Sequence, residues 1–496
     1  MTILIKNGLI IRDGDSQPFI GDVLTHERQI VAIGPGIEAP PNVHIIDATG
    51  LVVMPGAIDP HVHLHYPQGS NRIYTADDFR SGSVAAMLGG TTTILDFIEP
   101  QEGETLLTAL QTRNNDAQGL SILDYSFHMS VIRTDNLTLS EIPQVVDEGI
   151  TSFKIYTAYD GIRLTYNELP LALNAIGQAR GLAIVHSEDH ATIQDRVTKC
   201  REEGLVECKY HPECHPIEGE FASNQTVLQI ATDIQRRGVP LRFHIVHVST
   251  PQGAELLNTL RSQNLDVSGE VCTQHITLPV DLYTTAEDPS TFVMSPPLRP
   301  VEEENKLMVE VEKGIAIQMI TSDHAPFTRD QRLGNRRTPN FILGPDGSIQ
   351  PGPQADPWWN PDNGLPPFYA MPGGGSGIEF RAIVAHTLCV VQRGWNYTQF
   401  VNFVSTAAAK RFDLFPQKGT LSIGSDADIA IWDPEAMTRL TLSQTHSMTD
   451  QFPYEGFEVK GYPKIVIVGG QILKLECDGP CLSFEPRGRL LKRRPM

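Results

Sequence analysis

Residues 51–98 read LVVMPGAIDPHVHLHYPQGSNRIYTADDFRSGSVAAMLGGTTTILDFI. An apolar, β-branched run at 51–63 leads to a helix-like stretch at 76–88, and a second β-branched run follows at 91–98. Apolar runs alternating with helical stretches signal βαβ units and a parallel sheet, because a sheet covered by helices on both faces keeps its strands apolar throughout. Six more runs, at 124–132, 149–156, 183–188, 241–248, 266–272 and 316–323, bring the total to eight, with helical stretches such as 224–237 between them. Eight βα units in about 360 residues predict an α/β fold, a (β/α)8 TIM barrel with insertions.

The two ends of the chain have a different texture. Short runs at 3–5, 9–11, 23–24, 30–33 and 44–46 are separated by Asn-Gly, Asp-Gly and Gly-Pro-Gly turns, and similar runs return at 428–432, 458–460, 464–468 and 471–473. Neither end supplies enough strands for a sandwich of its own, so a small β-sandwich domain formed by the N- and C-terminal segments is expected. The expected layout is 1–55 for the first part of the sandwich, 56–415 for the barrel, 416–475 for the rest of the sandwich and 476–496 for a basic tail. Within the barrel, 328–375 is rich in Gly and Pro, carries Trp358 and Trp359, and reads as a long loop without regular structure, a lid or linker. Arg487, Arg489, Lys492, Arg493 and Arg494 make the tail basic, which reads as a solvated extension or a subunit contact.

Composition excludes several classes. The 496 residues hold 59 acidic and 39 basic side chains, a net charge of −20, which disfavours nucleic-acid and anionic-membrane partners. No run of about 18 apolar residues is present, and the N-terminus reads as a strand rather than a signal peptide, so a soluble cytoplasmic protein is expected. Seven cysteines, an odd number spread along the chain, argue against a disulfide framework.

In a βα barrel the C-terminal ends of the strands face the active site. The first run ends in Asp59-Pro60-His61-Val62-His63, where histidines two apart on an extended segment point to one side. The fifth ends near His186, the sixth near His247, and the eighth in Ser322-Asp323-His324-Ala325-Pro326. Four histidines and one aspartate on four strand ends are a ligand set for divalent metals such as zinc. The fourth run offers Lys154, in Ser152-Phe153-Lys154-Ile155-Tyr156, where two metals would need an anionic bridge. Protonated lysine cannot serve, but carbamylated by CO2 it becomes a carboxylate long enough to span two ions.

These residues resemble the cyclic amidohydrolases: dihydropyrimidinase, hydantoinase, allantoinase and dihydroorotase. The resemblance runs almost end to end, through Val53-Met54-Pro55-Gly56, Gly89-Gly90-Thr91-Thr92 and Gly424-Ser425-Asp426-Ala427-Asp428. Gly269-Glu270-Val271-Cys272, Ser295-Pro296-Pro297-Leu298-Arg299 and Tyr159, five positions after Lys154, are most similar to the dihydropyrimidinase/hydantoinase branch. The resemblance implies two zinc ions. His61 and His63 would hold the more buried one, His186 and His247 the more exposed one, and N6-carboxylysine at Lys154 would bridge them with a hydroxide. Asp323 would be both ligand and proton shuttle, Tyr159 an oxyanion donor, and main-chain groups near Ser295 and Gly373 would hold the substrate's amide edge. A homotetramer is implied as well.

The chain also departs from its relatives. Dihydroorotases carry an arginine two residues after His-x-His to hold a carboxylate, and here that position is His65, which cannot replace a bidentate guanidinium. Pro372-Gly373-Gly374-Gly375-Ser376-Gly377 stands where hydantoinases have Pro-Asn-Gly-Gly-Pro-Gly. His65, His190, His244 and His275 are rivals for the ligand positions. Cys208, His211, Cys214 and His215 have a spacing compatible with a structural zinc, although hydantoinase-like sequences carry a comparable stretch without metal. The expected function is metal-dependent opening of a 5,6-dihydropyrimidine or a 5-substituted hydantoin to the N-carbamoyl amino acid. The alternatives are allantoinase or another cyclic ureide hydrolase, and a non-catalytic dihydropyrimidinase-like scaffold.

Overall fold

The structure, a computed structural model, describes residues 1–13, 17–68, 73–332, 341–343, 349–351, 366–474, 485 and 487–495. The first sheet draws β1 (Thr2–Ile10), β2 (Phe19–His26), β3 (Gln29–Gly34), β4 (His44–Asp47) and β5 (Val52–Pro55) from the start of the chain. The barrel strands follow: β6 (Ala57–Val62), β7 (Thr91–Ile98), β8 (Asp124–Ser130), β9 (Ser152–Tyr156), β10 (Leu182–His186), β11 (Arg242–Ile245), β12 (Val267–Cys272) and β13 (Ile317–Thr321). They lie side by side in that order, with every neighbouring pair parallel. The ring closes where Val62 bridges His324, reinforced by His63 N–H donating to the His324 carbonyl at 2.8 Å. Each barrel strand falls within one of the eight runs to within a residue at its start, because strands buried on both faces are mostly apolar.

The terminal sheet is completed by β14 (Ile429–Arg439), β15 (Glu458–Val468) and β16 (Gln471–Lys474), in the order β16-β15-β14-β5-β1-β2-β3. It forks at β1: β4 pairs with Ile3–Lys6, and β5 pairs with Leu9 and Ile10. Ile3, Ile5, Val23, Ile30, Val53, Ile429, Ile431 and Ile467 pack together as its core, so both chain ends contribute to one apolar cluster.

Three sequence expectations change here. The runs at 3–5 and 9–11 are one strand, because Asn7 (φ 61°) makes a bulge stabilised by Asp22 accepting its N–H at 2.9 Å, not a turn. The run at 51–63 is shared by two sheets, β5 in the first and β6 in the barrel, with Gly56 between them. A Cβ at Gly56 would sit 2.2 Å from the Thr92 side chain, so only glycine lets the chain pass. The segment 328–375 is not wholly irregular: Phe341–Leu343 pairs antiparallel with Ile349–Pro351, and Arg329–Arg332 forms a helical turn. Trp358 and Trp359 lie outside the described residues.

Part of the basic tail packs against the barrel, while Arg487, Arg489, Lys492 and Arg494 stay exposed. Leu490 bridges Tyr125 at the start of β8, and Leu491, 6 % exposed, joins Ile58, Leu95, Ile184, Met319 and Phe412 inside the barrel. Arg493 is buried and donates to the carbonyls of Phe127 and Phe412. Arg489 reaches Asp124 and Asp426, while the buried Lys418 ammonium lies 2.7, 2.9 and 2.5 Å from Asp124, Asp426 and Asp428. Lys418, Arg489 and Arg28 therefore neutralise that acidic trio. The tail plugs the barrel at the N-terminal ends of its strands, opposite the end that carries the site. Leu491→Ala is expected to cost about 2–5 kcal/mol in denaturant unfolding, and a change within about 0.5 kcal/mol would mean a solvated tail.

Candidate metal centre

His61 and His63 stand at the end of β6, Lys154 on β9, His186 at the end of β10, His247 two residues past β11, and Asp323 two residues past β13. All six line one cavity of about 830 Å3 at the C-terminal end of the barrel, together with Tyr159, Ser295 and Gly373. His61 Nε2 and His63 Nε2 lie 3.1 and 3.2 Å from the same Asp323 oxygen. His186 Nδ1 and His247 Nε2 face each other at 2.8 Å. The ring centroids of His61 and His247 are 5.6 Å apart, which joins the two groups into one centre.

Three of these residues hold backbone conformations that side chains disfavour. Tyr159 (φ 77°), His247 (φ 38°) and Asp323 (φ 48°) are all left-handed and none is glycine. Such strain costs of order 1–3 kcal/mol each and persists where the surrounding fold enforces it, characteristically at functional sites.

The electrostatics suit a cation. Burial pushes His63 down to about 4, lowers His186, and holds His247 well below the usual imidazole value, so all three present neutral rings, the form that binds metal. His61 differs: burial opposes its charge, but Asp323 and Glu270 together lift it to about 9. The carboxylates thus favour a positive charge where the rings converge, and a divalent ion would supply it without the proton. Lys154 is 1 % exposed, its ammonium 4.9 Å from the Phe97 ring centroid and 5.0 Å from that of Tyr156. Among the described residues it makes no ion pair, and burial pushes it down to about 8 despite Asp323 and Glu270. A buried lysine without a counter-ion is unlike a structural one.

Two carboxylates that the sequence reading left without a role complete the geometry. Glu270, on β12, accepts from His61 Nδ1 at 2.5 Å and from His244 Nε2 at 3.1 Å. Glu188 lies 2.8 Å from His186 Nε2 and 2.8 Å from His215 Nδ1, and accepts the Tyr159 hydroxyl at 3.3 Å. Each carboxylate thus grips the nitrogen of a site histidine that faces away from the centre, which fixes the tautomer and the ring direction. Glu188 lies just past the end of β10 and forms a His-x-Glu with His186, a signal the sequence did offer. Spacing alone cannot show that Glu270 meets a histidine 209 residues earlier.

The rival histidines go elsewhere. His65 is exposed and packs edge-on against Tyr74, His244 bonds Glu270 and Ser268, His275 bonds the Pro296 carbonyl, and His190 pairs with Asp160. Cys208, His211, Cys214 and His215 do not converge. Cys214 Sγ faces Cys200 Sγ at 3.4 Å, His211 bonds the Met294 carbonyl, and His215 serves Glu188. His324, inside the Asp323 motif, is a structural residue held by Asp77 and by Gly377 N–H.

The loop carrying Gly373 is pinned from beneath. Buried Arg332 donates to the carbonyls of Val293, Pro372 and Gly374. Gly374 (φ 153°) could not be replaced, since a Cβ there would meet the Ala325 carbonyl at 2.3 Å.

Residues 243–473 match the amidohydrolase family. Over 480 residues, 95 % of this chain and 93 % of the relative, the sequence is 34 % identical to a D-hydantoinase of Geobacillus stearothermophilus. A D-phenylhydantoinase of Escherichia coli K12 is 33 % identical, over 100 % of this chain and 99 % of its own. Among solved structures, a dihydropyrimidinase from Brevibacillus agri superposes with a TM-score of 0.88 at 30 % identity, covering 100 % of this chain and 99 % of the other.

Proposed function

From the premise that the chain belongs to the amidohydrolase family, in its hydantoinase branch, we propose that it opens a 5-substituted hydantoin or a 5,6-dihydropyrimidine to the N-carbamoyl amino acid. The convergence of four histidines and Asp323 around Lys154 in one cavity carries this reading. His61, His63 and Asp323 would hold one divalent ion, and His186 and His247 a second. We assign both as zinc, from the imidazole-rich donor set. Lys154, carbamylated on Nζ, would bridge them. Its lowered pKa supports that step, because the neutral amine is the form that forms a C–N bond with CO2, releasing one proton. Bound, the ions would polarise the amide carbonyl and lower the pKa of water.

The chain's own groups would do the rest. Asp323, its carboxyl held well below the usual range by His61, His63 and His247 against the penalty of burial, is poised as an acceptor. It would take a proton from the attacking water and pass it to the ring nitrogen as the amide C–N bond breaks. Tyr159 would donate to the carbonyl oxygen as negative charge develops there. Ser295 and Gly373 would hold the amide edge of the ring through main-chain groups. The homotetramer remains part of the proposal by family analogy and the cytoplasmic location by composition; no helix among the described residues is long and apolar enough to cross a membrane. Metal analysis of the purified protein is expected to give about two divalent ions per chain, lost together with activity on chelation. Near-zero metal with activity unaffected by chelators would remove the mechanism.

A further inference from the structure

The cavity above the metal centre has one wall whose chemistry the ring-opening reaction does not use. Glu99 follows β7 directly, and Tyr66 and Gln68 follow β6; all three line the cavity with the metal ligands. Residues two apart on an extended segment face the same way, which accounts for Tyr66 and Gln68 sharing this wall. The Tyr66 hydroxyl donates to Glu99 Oε2 at 2.5 Å and lies 3.3 Å from the Tyr156 hydroxyl. That is the only hydrogen bond to the Glu99 carboxylate among the described residues.

No cation answers this carboxylate. Among the described residues Glu99 makes no ion pair, and its pKa is raised by burial with only the Tyr66 hydroxyl opposing. Arg133, on the same rim, is turned away: it donates to Thr138 Oγ1 at 3.2 Å and to the Glu104 carbonyl, and pairs with Asp135 at 3.3 Å. Arg201, on the opposite side, lies over the Tyr369 ring at 4.9 Å. Gln68 adds a second acceptor. Its amide nitrogen donates to the Gly373 carbonyl at 2.8 Å, which fixes the amide's direction, and its Oε1 is buried with no hydrogen-bond partner among the described residues. The buried Gln68 oxygen costs free energy unless something supplies a donor.

We infer that Glu99 and Gln68 form a subsite for a ring substituent ending in a cationic hydrogen-bond donor, an alkylammonium in the first instance. The inference rests on the proposed hydrolysis of a cyclic amide and names the substrate class within it. The ring's amide edge would face Ser295 and Gly373, and the substituent would run along the cavity to the Glu99 carboxylate. The Gln68 amide oxygen would take a second ammonium hydrogen. Gln68 also ties this subsite to the loop that holds the ring, since its other amide atom is bound to Gly373.

The test compares 5-(4-aminobutyl)hydantoin with its neutral isostere 5-pentylhydantoin on metal-loaded enzyme, by kcat/KM for ring opening and by calorimetric Kd. The account expects the amine to be favoured by about tenfold or more in both measurements. Glu99→Gln, which keeps an acceptor for Tyr66, should bring that ratio close to one, and Gln68→Leu should lower it in part. A wild-type preference for the pentyl compound, or a ratio that neither substitution moves, would overturn the subsite. If the enzyme opens neither of these compounds, nor unsubstituted hydantoin, nor dihydrouracil, yet binds the amine selectively through Glu99, the subsite stands and the proposed reaction falls.

Discussion

Lys154→Ala should lower kcat/KM for ring opening by about 10³-fold or more, because losing the proposed bridge would forfeit several kcal/mol of transition-state stabilisation. The side chain is 1 % exposed, sits between the Phe97 and Tyr156 rings, and has no counter-ion among the described residues. A lysine kept for packing would lose stability on truncation and could not be rescued by a small molecule. A carbamate bridge leaves a carboxylate-sized vacancy, so acetate or propionate should restore part of the activity and of the metal content. Wild-type turnover in the variant would remove the bridging role.

Asp323→Asn should lower kcat by about 10²–10⁴-fold, the usual worth of a positioned proton-transfer group. Asparagine keeps the size of the side chain and one oxygen for coordination, but it cannot accept the proton from water. The assay therefore needs saturating substrate and a metal count showing both ions in place. A kcat within tenfold of wild type, with metals retained, would assign the proton transfer to another group. Glu188, which accepts the Tyr159 hydroxyl beside His186, would be the next residue to substitute.

The barrel was legible because its strands, buried on both faces, read as mostly apolar, β-branched runs alternating with helical stretches, and several of them end near a candidate site residue. His61, His63, His186, His247 and Asp323 were chosen from their strand-end positions together with the family resemblance, and the structure brings them into one cavity with Lys154. Position did not reveal which groups hold them. Glu270 spans from β12 to both His61 and His244, a contact that only the closed ring of strands creates. The left-handed backbone at Tyr159, His247 and Asp323 was also invisible, since nothing in these residue types announces strain imposed by neighbouring strands.

Local composition was a poor guide where long-range contacts decide the structure. Asn7-Gly8 has the composition of a hairpin turn, but Asp22 accepts the Asn7 N–H and keeps β1 running through a bulge. Dense charge gave the tail the reading of a solvated extension or a subunit contact, and most of its basic side chains are exposed, but part of the segment also packs. Its apolar members, Leu490 and Leu491, find the open end of the barrel, while Arg489 and Arg493 find carboxylates and carbonyls there. Cys208, His211, Cys214 and His215 had metal-like spacing, but the fold turns Cys214 to Cys200 and His215 to Glu188.

The most direct measurement is product analysis of the metal-loaded enzyme given hydantoin, a 5-substituted hydantoin, dihydrouracil, allantoin and dihydroorotate side by side. The account predicts ring opening of a hydantoin or dihydrouracil to the N-carbamoyl amino acid, abolished by chelation and restored by zinc. Dihydroorotate as the best substrate, or ring opening undiminished in metal-free protein, would contradict it.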